Sequence, residues 1–409
     1  MKFANICRYL LAVAVFAVVG VSCQNERRFS EKEVLDMLLE GYDTKLRPGL
    51  NSTGESQPVH VRVNMLIRSI TRVDDIAMAY DAQITLRTEW NDPRLAYDAP
   101  HLAHLNLPDP DRIWKPDLFF QNERSAYFHM VPTPNVMTRI TPNGDVMNSV
   151  RLTVTFGCPM DLRMFPMDRQ VCEIRMASYG FTSRDVIVEW KTGAASDFQP
   201  IQLAADLTMA RFRLVDRKAS TCTSHTTSGT YSCIKAGLFL QRELSYYICQ
   251  VYLPTTVLVL VSFISFWFDA GATTARVLIG VMTLLTMATT QAGINSQLPP
   301  VAYTKAIDVW TGVCLFFIFA SLLEFAAVHY YSRAERRHTN TVVRIDNNEQ
   351  PLLSDAYGQR KTFGLQIPVA RAHKLDFLSR LIFPLGFLVF NILYWSIYLA
   401  TVRQWPDPY

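Results

Sequence analysis

Four apolar runs near the C-terminal end restrict this chain more than any other feature. Tyr246 to Phe268 holds no charged residue, Val277 to Ala292 is uncharged but richer in Thr and Gly, Ala306 to Leu323 is apolar apart from Asp308, and Leu381 to Val402 is again uncharged. Inside a bilayer no water is present to satisfy backbone N–H and C=O groups, so such runs cross as helices. Their lengths are close to the roughly 20 residues that a crossing needs. The predicted spans are about 244–268, 276–296, 307–331 and one within 379–409, together a four-helix transmembrane bundle. The segment 333–378 is rich in Arg and Lys, which assigns it to the cytoplasm and puts the region before the first span outside, together with the end that follows the fourth. Asn347-Asn348-Glu349-Gln350-Pro351 reads as a disordered loop, turning helical near Arg371-Ala372-His373-Lys374.

The N-terminal end agrees with that topology. Lys2 and Arg8 precede an apolar run from Tyr9 to Val21, followed by Ser22 and Cys23, the layout of a secretory signal peptide over 1–23. A first membrane anchor is the alternative, but the run is short for one. Export makes disulfides permissible. With Cys7 and Cys23 set aside, Cys249 and Cys314 lie in apolar runs and read as small buried hydrophobes. Cys158, Cys172, Cys222 and Cys233 remain, and four cysteines allow three connectivities. Local pairing, 158 with 172 and 222 with 233, is the economical choice. A disulfide closing 158–172 would stabilise by about 3 kcal/mol. Phe165-Pro166 gives that loop a stiff apolar tip, which needs an apolar partner, and the membrane domain is the candidate.

Between signal and spans, residues 24–243 read as a β domain. Val34, Met37 and Leu38 recur at helical spacing and predict a short opening helix. Asn51-Ser52-Thr53 is a glycosylation sequon. From Val59 the pattern alternates, as in Val59 to Met65 and Ala82 to Arg87, with turn clusters at Pro108-Asp109-Pro110 and Pro142-Asn143-Gly144-Asp145. Many short strands with regular turns predict an immunoglobulin-like all-β sandwich. A net charge of +4 over 409 residues gives no electrostatic case for nucleic acid. The sequence has no nucleophile elbow, phosphate loop or zinc-ligand spacing, so no enzyme class or cofactor is indicated.

The loop bearing Phe165-Pro166-Met167-Asp168 ahead of four spans resembles the Cys-loop family of pentameric ligand-gated ion channels. Trp114-Lys115-Pro116-Asp117, Arg242-Glu243 and Ser379-Arg380-Leu381-Ile382-Phe383-Pro384 support the resemblance, as do Phe390-Asn391 and Tyr394-Trp395. Within the family, Ala275-Arg276-Val277, Gly293 to Val301 and Tyr303 to Trp310 are most similar to invertebrate glutamate-gated chloride channels. The second cysteine pair fits the glutamate- and glycine-gated branch. The resemblance implies a homo- or hetero-pentamer in the plasma membrane, at postsynaptic sites, opened by glutamate and passing chloride.

A helix from about Arg276 sets Leu278, Met282, Leu285 and Thr289 on one stripe. Alone, such a stripe reads as a buried helix face. The resemblance makes it the pore lining, with Leu285 the gate that closes by dewetting. Ala275 stands where cation-selective relatives carry an acid, and helix N-termini converging there favour an anion. Two departures stand out. Thr274 replaces the proline usual in anion channels, and Leu278 and Met282 replace small or hydroxyl residues. These last two narrow and dry the inner pore, which predicts low conductance and weak action of pore blockers that need a polar lining.

For the ligand, the resemblance assigns Arg68, Arg87 and Ser149 to the carboxylates of glutamate, and Phe119, Tyr179 and Tyr231 to an aromatic box for its ammonium. Ser178 matches a backbone contributor, and Ser228 stands where relatives have threonine. Arginine suits a carboxylate because its planar fork makes two parallel hydrogen bonds. Glycine or GABA would leave one arginine unpartnered, a costly state when buried. The two faces come from neighbouring subunits. Coupling to the gate is expected through Phe165, Pro166, Asp168, Arg242 and the linker at Pro299 and Pro300, with Asp168 or Glu243 forming a surface ion pair to Arg242 worth under about 1 kcal/mol. Macrocyclic lactones such as ivermectin bind relatives in the membrane between subunits. Gly312 keeps that opening, while Gln291 and Phe316 replace smaller residues. The competing expectations are a channel gated by glycine, histamine or another amine, and an accessory subunit that conducts only in heteromers.

Overall fold

Alternating apolar residues become strands wherever one face can be buried. A computed structural model describes residues 30–49, 57–193, 198–268, 272–346 and 370–403. The expected signal peptide, the Asn51 sequon and the Asn347–Pro351 loop lie outside the described residues. Helix α1, Glu31–Leu39, starts at a capping box in which Ser30 and Glu33 exchange hydrogen bonds.

Twelve described strands follow. β1 (Val59–Asp74), β2 (Ala79–Asn91), β7 (Asp145–Gly157), β6 (Val136–Ile140) and β3 (Leu105–Leu107) form one sheet in the order β10-β1-β2-β7-β6-β3. β10 is Ile201–Leu203, β5 (Glu123–Phe128) joins on β7 and β9 (Val186–Trp190) on β1. The second sheet runs β11-β12-β8-β4, from Phe212–Thr226, Gly229–Arg242, Arg169–Ser178 and Leu118–Phe120. Val61, Val63, Met65 and Ile67 are fully buried, as are Ile84, Val154 and Phe156, which places the core on the inner side of the larger sheet. Trp90 meets Trp114 edge-to-face at 6.0 Å. Cys158 is joined to Cys172, with Cα atoms 5.1 Å apart, and Cys222 to Cys233, at 4.7 Å. Cys222 and Cys233 sit directly opposite each other in the β11–β12 ladder.

Four helices complete the chain: α2 (Ser245–Trp267), α3 (Thr273–Ser296), α4 (Ala306–Asp346) and α5 (Ala370–Arg403). All four hold stretches long and apolar enough to cross a membrane. A π-helical turn over Ile248–Tyr252 precedes Pro254, which has no N–H to continue the donor ladder. α4 and α5 reach into the 333–378 segment from both sides, because Arg333, Glu335 and Arg336 end the apolar run without ending helix propensity. Gly280 lets α4 lie close to α3, since a Cβ there would stand 2.7 Å from Leu322 Cδ1. Trp310 Nε1 donates to Thr255 Oγ1 at 2.9 Å, and the Tyr394 hydroxyl donates to the Ala306 carbonyl at 3.1 Å, tying α4 to α2 and to α5. Cys314 is buried as expected, but Cys249 is exposed. An apolar run in a membrane has an outward face as well as a packed one, and Cys249 lies on the former.

Candidate ligand site, helix stripe and domain junction

Two groups of side chains occupy the β domain. On the outer face of the larger sheet, Arg87 lies directly opposite Asn64 on one side and Ser149 on the other. Its guanidinium donates to Asn64 Oδ1 at 3.0 Å and Gln202 Oε1 at 3.4 Å. Arg68 is exposed and donates from Nε to Thr85 Oγ1 at 2.7 Å. Arg151, two positions along β7 from Ser149, donates to Gln83 Oε1 at 2.8 Å. His129 lies beside this group, its ring nitrogen 2.8 Å from Thr153 Oγ1. Burial, and after it the nearby Arg151 and Arg68, holds that imidazole below its ordinary pKa. Among the described residues none of Arg68, Arg87 and Arg151 belongs to an ion pair, so this face carries cationic charge that no carboxylate neutralises.

The second group sits on the smaller sheet. Phe119 on β4 meets Tyr179 edge-to-face at 5.4 Å, and Tyr179 is 76% exposed. Ser178 is buried and donates to Asp117 Oδ1 at 2.5 Å, while the Gly180 N–H donates to Asp117 Oδ2 at 2.6 Å. Asp117 therefore fixes the turn that presents Tyr179. Tyr231 is buried on β12, its hydroxyl 2.9 Å from Ser228 Oγ at the β11–β12 turn. The disulfide between Cys222 and Cys233 clamps the strands that carry this turn. Aromatic faces with nearby hydroxyls can hold an ammonium, worth about 1–2 kcal/mol when water is excluded. No hydrogen bond or ring contact among the described residues joins the arginine group to the aromatic group within one chain. Thr85, Arg151, Asn64 and Gln202 were missed by sequence reasoning, and Asp117 was singled out only as part of the family motif. Period two along β2 and β7 puts Thr85 beside Arg87 and Arg151 beside Ser149, a signal that was present. Gln202 comes from β10, and no spacing rule reaches it.

In α3, Leu278, Met282 and Leu285 are 61%, 53% and 58% exposed, and Thr274 and Thr289 are exposed with them. Ala275 is half-buried. Arg276, Gly280, Thr283 and Met287 form the buried side. At 100° per residue the two sets lie on opposite sides of the helix. Arg276 points away from the exposed stripe and pairs with Asp376 of α5 at 3.0 Å.

The 158–172 loop meets the membrane helices differently from expectation. Phe165 and Pro166 are buried, and Phe165 packs edge-to-face on Tyr247 of α2 at 5.1 Å. The carbonyls of Arg163 and Phe165 accept from the amides of Ala306 and Ile307 at 2.9 and 3.2 Å, and the Leu162 N–H donates to the Tyr303 hydroxyl at 2.9 Å. The loop is thus bonded to the start of α4 and not to Pro299, which is buried, or Pro300, which is exposed. The free amides of a helix start are better partners for carbonyls than prolines, which have no N–H. Arg242 pairs with Asp168 as expected, but away from the surface. It is buried, reaches Asp168 at 2.7 Å and also Asp75 at 2.7 Å, while Glu243 faces Arg213 at 3.8 Å.

Residues 31–244 match the profile of the neurotransmitter-gated ion-channel ligand binding domain, and residues 251–352 that of the neurotransmitter-gated ion-channel transmembrane region. A "Glutamate-gated chloride channel" of Drosophila melanogaster is 41% identical over 456 aligned residues, covering 97% of this chain and 98% of the relative. A "Glutamate-gated chloride channel subunit beta" of Haemonchus contortus is 38% identical over 432, again covering 97% and 98%. With a β sandwich that leads into four apolar helices, and with both matches in that order, the chain belongs to the family of neurotransmitter-gated ion channels.

Proposed function

We propose that this chain is a subunit of a pentameric chloride channel opened by extracellular glutamate, and that it is a channel and not an enzyme. The observation that carries this reading is the set of unneutralised guanidiniums of Arg68 and Arg87 on the face that holds Ser149. A ligand with two carboxylates satisfies both arginines, and its ammonium meets the aromatic group of Phe119, Tyr179 and Tyr231 on the neighbouring subunit. The separation of the two groups onto different sheets supports a site completed between subunits. Glycine or GABA, with one carboxylate, would leave one arginine unpartnered, and histamine, with none, would leave both, so glutamate is favoured over all three. The names of both relatives agree. Residues 24–243 are then extracellular, 333–378 cytoplasmic, and the stripe from Thr274 to Thr289 lines the pore. At Gly312, where nothing lies within 4 Å of a Cβ, a macrocyclic lactone has room that the exposed Phe316 narrows.

The test is radiolabelled glutamate binding to membranes from cells expressing the chain. Arg87→Ala removes charge-assisted bonds worth about 1.5–3 kcal/mol and should weaken binding on the order of 100-fold with surface abundance unchanged. Arg87→Lys keeps the charge but loses the fork and should fall between. Current from channels that contain the chain should reverse at the chloride equilibrium potential. An unaltered Arg87→Ala affinity, or reversal that follows sodium, would refute the assignment.

A further inference from the structure

The exposed stripe of α3 consists of Thr274, Leu278, Met282, Leu285 and Thr289, so its middle carries three consecutive apolar side chains. At 1.5 Å per residue, Leu278 to Leu285 covers about 10 Å of the helix. In a five-fold assembly that is three stacked apolar rings where a gate needs one, and hydrophobic constrictions block ions by shedding water. Rotation of α3 does not relieve this. The neighbouring positions in the inner half are Val277, Ile279 and Val281, with Gly280 between them, and Arg276 and Thr283 lie on the far side, so a turn of the helix by less than about 100° brings only apolar side chains forward at that level. The nearest hydroxyl, Thr283, is on the buried side and donates to the Ile279 carbonyl at 2.8 Å. Thr286, at the level of Leu285, sits at the edge of the stripe and donates to the Met282 carbonyl at 2.7 Å. Withdrawing Leu285 can therefore wet its own level but not the one below it.

We infer that five copies of this chain alone form a pore that stays dry between Val277 and Met282, and that the conducting channel requires partner subunits of the same architecture bearing hydroxyl side chains at the levels of Leu278 and Met282. The inference rests on the proposed pore orientation of α3, and it holds whatever the agonist is.

The experiment separates the inner rings from both agonist and gate. Leu285→Ser wets the gate level, so current can be read without ligand. Expressed alone and normalised to surface-labelled pentamer, L285S should give no standing current, whereas L285S with L278S and M282T should give at least tenfold more. A second arm mixes the L285S chain with a tagged L285S/L278S/M282T copy, and standing current per surface pentamer should be absent from the first alone and appear as the tagged share rises. L285S alone conducting within twofold of the triple variant would overturn the inference, and so would a silent triple variant that is present at the surface as pentamer. Radiolabelled glutamate binding is measured on the same membranes. Its absence alongside the predicted currents would count against glutamate as agonist and leave the pore inference standing.

Discussion

Arg242 organises the junction of the two parts, and its surroundings explain how a charge is kept there. Its side chain is fully buried. Burial opposes the charge, and the hydrogen bonds and fields of Asp75 and Asp168 outweigh it, so the guanidinium proton is held above its ordinary pKa. The planar fork divides between the two carboxylates, Nε and one terminal nitrogen to Asp168 and both terminal nitrogens to Asp75. Phe165 and Phe212 flank the guanidinium, at 4.6 and 4.4 Å from its carbon. Gln170 Nε2 donates to Asp168 at 2.5 Å and satisfies part of the surplus negative charge. Removing Arg242 would leave two buried carboxylates without a cationic partner, a change worth about 3–5 kcal/mol. Arg242→Ala is therefore expected to be lost from the cell surface. Asp75→Asn, which keeps the shape and leaves one full ion pair, should reach the surface at reduced abundance and melt earlier in detergent. Surface labelling and a melting curve of the solubilised protein decide the matter. An Arg242→Ala protein as abundant as wild type would mean that the buried triad contributes little.

The elements differ in how plainly the sequence announced them. Alternation gave β1 and β2, the lack of charge gave the four helices, and a run of Pro, Asn, Gly and Asp gave the β6–β7 turn. That turn shows why such signals are dependable. Gly144 has φ +78, and a Cβ there would stand 2.5 Å from the Asp92 carbonyl oxygen. The Asp92 N–H donates to the Gly144 carbonyl at 2.8 Å, and the buried Asp92 carboxylate accepts from Tyr42 and Arg94. Gly144→Ala should cost about 1–3 kcal/mol from the backbone alone, with the clash in addition. A melting point several degrees lower checks this, and an unchanged one would show that the turn relaxes freely. What the sequence concealed came from register and distance. Asp75 lies in the β1–β2 turn, 167 positions from Arg242, and looks like any turn aspartate. Gln202 comes beside Arg87 only because β10 pairs with β1 with Leu66 against Gln202. The stripe of α3 was legible at 3.6-residue spacing, but its exposure was not, because a buried helix face has the same pattern.

At the scale of the whole molecule, a signal from the proposed ligand groups to the Leu285 level has to cross the junction between the β domain and the helices. The 158–172 loop makes three hydrogen bonds there, the Arg163 and Phe165 carbonyls accepting from the amides that start α4 and the Leu162 N–H donating to the Tyr303 hydroxyl. Its disulfide holds the loop ends while Phe165 rests on Tyr247. Contact alone does not demonstrate coupling. A contact transmits gating only if its free energy differs between closed and open states, and a contact equal in both contributes to folding alone. Tyr303→Phe separates these cases, because it removes the acceptor and leaves the buried Leu162 N–H unsatisfied, at about 1–3 kcal/mol. If that bond exists in one state only, the glutamate midpoint moves about tenfold for each 1.4 kcal/mol. The measurement belongs in the L278S/M282T background, where current does not depend on a partner subunit. The expected result is a several-fold shift of the midpoint with surface abundance within twofold. An unmoved midpoint with reduced abundance would assign the Leu162–Tyr303 bond to assembly of the fold, and gating would then have to pass through the carbonyl contacts to Ala306 and Ile307 or through the Arg242 triad.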